Sequence, residues 1–141
     1  MGEYLIETND WGVGMTHGLT YGYDAFRNPQ RLWDHLDQVK ARENEIWVGT
    51  FREVVSYIKE REETKLEVVN KKNTLLITPE LKLDQELFVE PLTMVITGKE
   101  IKKVTVKQGK RRLPVQITDD KVLFDFDPYG GMIKVTLKIQ K

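Results

Sequence analysis

The spacing of apolar residues changes its period once along the chain, near residue 63. Before that point two stretches repeat at helical spacing. Leu32, Trp33, Leu36 and Val39 share one face of a helix predicted over 29–42. Asn28 can cap it, and Pro29 takes its first position, a favoured start. Phe51, Val54, Val55 and Ile58 form the stripe of a second helix over 51–62, opened by Thr50 and Glu53 as a capping box. A short apolar run precedes each helix. Residues 12–17, in which Val13 and Met15 alternate with glycines, read as a buried strand that ends on His17 and opens into a loop with Gly18 and Gly22. Ile46, Trp47 and Val48 read as another. Strand, helix, strand, helix in this order predicts parallel connections. Two such units cannot close a sheet, because a parallel pair needs neighbours and helices on both faces. Residues 1–63 therefore read as the remnant of a (β/α) barrel.

From Lys65 the period becomes two. Leu66 and Val68 alternate, Leu75 to Thr78 is a short apolar run, and Leu87–Val89 and Leu92–Thr97 flank Pro91. Val104 and Val106 alternate, as do Leu113, Val115 and Ile117, then Val122, Phe124 and Phe126, then Ile133 to Ile139. Turn signals separate the runs: Thr97-Gly98, Gln108-Gly109, Asp119-Asp120 and Asp127-Pro128-Tyr129-Gly130-Gly131. This pattern predicts an antiparallel β-sandwich over 64–141. The expected fold class is α+β, with a boundary at residues 62–65.

Composition sharpens the division. All three tryptophans and both histidines lie before residue 63. Residues 1–63 hold 7 Lys/Arg against 12 Asp/Glu, and residues 64–141 hold 15 against 10, so a net charge of zero conceals two halves of opposite sign. A neutral chain argues against a nucleic-acid partner, which needs a basic footprint. No apolar run approaches the roughly 20 residues of a membrane helix. There is no cysteine, which excludes disulfides and thiolate metal sites.

His17 is the candidate catalytic residue, because a polar group where a strand opens into a loop is where α/β enzymes place reactive side chains. Trp11, Tyr21 and Tyr23 are candidate sugar-stacking residues around it. His35 lies between Asp34 and Asp37 and reads as solvated. The two histidines are too far apart in sequence, and on elements too different, to make a metal pair. The lone serine, Ser56, is mid-helix, and Gly12, Gly14 and Gly18 lack the spacing of a dinucleotide loop. Lys107, Lys110, Arg111 and Arg112 surround Gly109 as a basic hairpin tip.

The ordered set Met15-Thr16-His17-Gly18, then Ile46-Trp47-Val48-Gly49-Thr50-Phe51, then Tyr57-Ile58-Lys59-Glu60-Arg61, resembles the end of the catalytic domain of polysaccharide deacetylases, the NodB-like carbohydrate esterases. The resemblance covers residues 8–63. It implies hydrolysis of N-acetyl groups on sugar polymers, with a divalent metal, zinc, held by two histidines and an aspartate in the complete enzyme. It also implies that His17 serves as general acid to the leaving amine. In the family a leucine stands three residues before that histidine, and here the position is Gly14. No Thr-Phe-Asp-Asp and no His-x-x-x-His occurs, so this chain alone is expected to be inactive and to carry no metal. The start of the chain shows no secretory signal. Under the resemblance this implies an extracytoplasmic protein whose natural N-terminus lies upstream. The rival reading is a non-catalytic carbohydrate- or protein-binding module. Unpaired strands and uncovered helix faces in residues 1–63 predict a homo-oligomer, most simply a two-fold dimer.

Overall fold

Asn28 starts the first long helix as its position suggests: its Oδ1 accepts the amide of Gln30 at 3.1 Å, and the Pro29 carbonyl accepts the amides of Leu32 and Trp33. Helix α2 (Gln30–Lys40) follows, preceded far upstream by a short helix α1 (Gly2–Thr8) that no apolar spacing announced. Beyond α2, the amide of Ile46 bonds the carbonyl of Arg42, and Arg42 pairs with Glu45 at 2.8 Å. This computed structural model describes residues 2–8, 10–23, 25–98, 101–118 and 120–139. The chain divides into two compact units, Met1–Phe51 and Arg52–Lys141.

In the first unit the expected strands over 12–17 and 46–48 do not form; both segments lie outside every helix and strand. A strand exists only through the ladder on its neighbour, and among the described residues no segment pairs with either. No parallel pair is present among the described strands. The apolar residues of this unit are correspondingly uncovered. From residue 5 on, none of its described residues is buried, and Trp11, Val13, Met15, Trp33, Leu36, Trp47 and Val48 are all exposed.

The second unit carries most of helix α3 (Phe51–Glu63) and eight strands, β1 (Lys65–Lys71), β2 (Thr74–Glu80), β3 (Leu92–Thr97), β4 (Ile101–Gln108), β5 (Arg111–Leu113), β6 (Gln116–Ile117), β7 (Lys121–Phe126) and β8 (Ile133–Ile139). All pairings are antiparallel. They make a five-stranded sheet in the order β1-β2-β8-β4-β5 and a three-stranded sheet in the order β3-β7-β6. The alternation of the sequence is the reason. Val104 and Val106 on β4, Ile133 and Val135 on β8, and Ile77 on β2 point inward from one sheet. Leu92 on β3, with Val122, Phe124 and Phe126 on β7, meets them from the other. Burying such a side chain is worth roughly 1.5–3 kcal/mol. Leu87–Val89, expected to be a strand, is a turn: Asp84 accepts the amides of Leu87 and Phe88 on its carbonyl and that of Glu86 on its side chain. Helix α3 belongs with the sheets rather than with the barrel-like segment, since its buried residues are Val54, Ser56 and Glu60.

One inward position is polar. Gln108 follows Val104 and Val106 in the alternation of β4 and is itself buried. Its Nε2 donates to the carbonyls of Asp127 (2.6 Å) and Gly131 (3.1 Å), and its Oε1 accepts the Asp127 amide at 3.0 Å. These three bonds hold the turn that carries the chain from β7 in one sheet to β8 in the other. A Cβ at Gly130 would stand 2.7 Å from the Gln108 side chain, and Gly131 has φ of 77°, so both glycines are required there. Replacing Gln108 by Ala should cost about 2–3 kcal/mol of unfolding free energy, because three backbone groups lose their partner. Gln108→Glu should cost at least as much, since the two donated bonds become oxygen facing oxygen. Urea unfolding followed by circular dichroism measures both; a loss under about 0.5 kcal/mol for either would mean that the turn holds itself.

Candidate functional site

The His17 segment has a local frame of its own. Thr16 Oγ1 donates to the Gly18 carbonyl at 2.8 Å, and the Gly18 amide returns a bond to the same hydroxyl at 3.3 Å. A Cβ at Gly18 would run into the carbonyl of Tyr21, and Gly22 has φ of 122°, so both glycines permit the tight loop. The loop brings Tyr23 back to His17, with ring centroids 5.9 Å apart at 59°. Trp11 is placed elsewhere, tilted against Phe51 at 5.0 Å. Tyr21 stands apart at 89% exposure. Of the four residues expected to act together, His17 and Tyr23 are brought into contact.

This arrangement presents an imidazole and a phenol to solvent side by side. Such a pair can donate protons to a bound polar group and offer a ring face to a sugar. Among the described residues no carboxylate forms an ion pair with His17. None of the four lines the groove of about 640 Å³ in the same unit, whose apolar wall is Leu36, Val39, Ile46, Trp47 and Val48 and whose rim carries Lys40, Glu43 and Glu45. His35 is exposed on α2, next to Asp34, whose carboxylate accepts from Gln30 at 2.7 Å. The basic residues 107 and 110–112 form the tip of the β4–β5 hairpin, exposed as expected.

One buried acid is a residue that the apolar pattern did not single out. Glu60, on α3, is fully buried. Its Oε1 accepts the amide of Glu90 at 3.1 Å, while its Oε2 has no hydrogen-bond partner. Burial raises its pKa above the usual carboxylate value. The Glu90 amide opposes that rise, and the carboxylates of Glu90 and Asp127 reinforce it. Tyr129, whose hydroxyl donates to the Leu83 carbonyl at 3.3 Å, is shifted up by its own burial and by Glu60, Asp84 and Asp127. Nearby, Lys59 sits over the Phe88 ring at 5.1 Å, a cation–π contact. The expected stripe of α3 was Phe51, Val54, Val55 and Ile58. Phe51 and Val55 are in fact exposed, and the buried face turns toward Ser56 and Glu60. The only signal for this in the sequence is that Val54 and Tyr57 share a helix face with Glu60.

Among the described residues no group of three His, Cys, Asp or Glu is arranged to hold a metal ion. No helix is long and apolar enough to cross a membrane. Comparison with protein-family models, curated proteins and solved structures found no match.

The Glu60 carboxyl makes stability depend on pH. With its folded pKa raised, the folded chain binds the proton more tightly than the unfolded one. Its contribution therefore worsens as pH rises from the usual carboxylate value through the folded pKa, and the full penalty applies above that. Glu60→Gln keeps the bond from Glu90 and removes the charge. It should stabilise the chain by on the order of 1 kcal/mol at pH 7 and by much less at pH 4. Urea midpoints at the two pH values test this; an equal effect at both, or a loss at pH 7, would contradict the buried-charge account.

Proposed function

We propose that this chain is the C-terminal portion of a polysaccharide-deacetylase-like protein. In this reading the first unit, up to Phe51, belongs to a (β/α) barrel completed by other segments, and the antiparallel sheets with most of α3 are an accessory domain. The observation that carries the reading is the uncovered state of the first unit: tryptophans and aliphatic residues at helix and strand spacing, with no described residue from Leu5 on buried. Such surface is what a piece of a larger α/β layer presents before its neighbours are added.

In the assembled protein His17 holds a proton at its imidazole and passes it to the leaving amine of an N-acetylated sugar. Imidazole is the side chain whose proton exchange lies nearest neutral pH, which suits it to this role. Tyr23 flanks it, and Trp11 and Tyr21 offer ring faces to neighbouring sugars. The described residues do not fit a metal site, so the zinc chemistry of the family would depend on ligands outside them. The family setting places the protein outside the cytoplasm. The second reading is a binding module without catalysis, favoured by the 89% and 80% exposure of Tyr21 and Tyr23, which suits sugar stacking without any proton transfer.

The chain alone should release no acetate above background from N-acetylglucosamine oligomers. The reading frame upstream should encode Thr-Phe-Asp-Asp and His-x-x-x-His, and the chain joined to that segment should gain metal-dependent acetate release. His17→Ala in the joined protein should then lower the rate by about 10²–10⁴, the usual worth of a general acid. An upstream frame without either motif, or a His17→Ala enzyme with unchanged rate, would leave the binding-module reading.

A further inference from the structure

We infer that β1 is the docking edge for a second copy of this chain, the two β1 strands pairing antiparallel about a two-fold axis through Val69. β1 is the outermost strand of the five-stranded sheet and pairs on one side, with β2. All seven of its residues are exposed. Leu66 and Val68 are in register with Pro79 and Ile77, so they lie on the core side of the sheet. They remain 44% and 55% exposed, because the facing sheet has three strands against five.

The other edges are shorter, and β5 and β6 are blunted in the usual ways. β5 has three residues, two of them arginines, and β6 has two residues. β3 begins directly after Pro91. β1 carries no proline, and its pairing with β2 runs without a bulge. It is the long, regular edge that a strand from another chain can extend.

Charge selects both the occupant and the register. Lys65, Glu67, Val69 and Lys71 alternate on the outer face. Self-pairing centred on Val68 sets Lys65 opposite Lys71 on both sides of the axis, and centring on Glu67 sets two carboxylates together; both are unfavourable. Centring on Leu66 joins Lys65 to Glu67 but brings Thr64 and the end of α3 against the other strand. Centring on Val69 sets Glu67 opposite Lys71 of the second copy, twice, with Val69 against Val69 between them. Val68 then lies beside Asn70 on the core side, and the turn residues Lys72 and Asn73 stand opposite Leu66 and Lys65 of the second copy. Strand β1 is thus complementary in charge to itself in this register, which keeps the end of α3 away from the paired segment. This contact runs through the sheet unit, not through residues 1–63 as the uncovered helix faces suggest.

Charge exchange in the full chain tests the register. Glu67→Lys and Lys71→Glu should each raise the dimer dissociation constant about tenfold or more by setting like charges opposite. The double variant E67K/K71E should restore it. Sedimentation equilibrium reads the constants, and circular dichroism confirms that both single variants keep their sheet. The chain has no cysteine, so Val69→Cys places a single thiol that should link two copies under mild oxidation, while Val95→Cys on the β3 edge should not. A monomer at every concentration, a dimer indifferent to both single variants, or linking through position 95 as readily as through 69 would overturn the inference.

Discussion

The three hydrogen bonds of Gln108 are what the double-sheet architecture depends on. β7 and β8 are consecutive strands in different sheets, so the turn between them is one of the places where the chain passes from one sheet to the other. A crossing of that kind needs fixed geometry, and apolar packing does not supply direction. Gln108 does: it enters the core in step with Val104 and Val106, then uses both ends of its amide on the turn. Because β8 pairs with β2 on one side and β4 on the other, an error at this turn would shift the central strand of the larger sheet. With a period of two, a one-residue slip would turn Ile133 and Val135 outward.

The sheet unit was legible in the sequence because its constraint is local and periodic. Alternating residues had one side to bury, and Asp127 to Gly131 announced the crossing turn. Leu87–Val89 shows the limit of the same signal: three apolar residues fit a strand, but Asp84 just before them satisfies the backbone of a turn instead. The stretches 12–17 and 46–48 failed for the complementary reason. Their composition suits a buried strand, yet pairing is a property of two segments, and among the described residues nothing pairs with either. Glu60 was hidden by the habit of counting apolar positions, since a carboxylate on a helix normally marks the solvent side.

The first unit poses an energetic question that its own contacts do not answer. Ordering one residue costs roughly 1–2 kcal/mol of backbone entropy, and burial is the term that normally offsets it. Here no described residue from Leu5 to Phe51 is buried. An eleven-residue helix such as α2 is marginal in isolation, and its caps and end-of-helix ion pairs contribute at most a few kcal/mol. That uncovered apolar surface is the feature on which the proposed reading rests, since neighbouring barrel segments would cover it.

Glu60 carries the argument one step further. Its Oε1 has a clear task, satisfying the Glu90 amide between α3 and the loop that leads into β3. An apolar residue there would leave that amide unsatisfied, which explains a polar group but not an acidic one. Glutamine would accept the same bond without a charge. The second oxygen is what distinguishes glutamate, and it is the atom without a partner. Asp127 adds its charge to Glu60 and belongs to the turn that Gln108 holds. The cost of the buried acid therefore falls on the docking of α3 through the Glu90 amide, and protonation of the carboxyl would relieve it there.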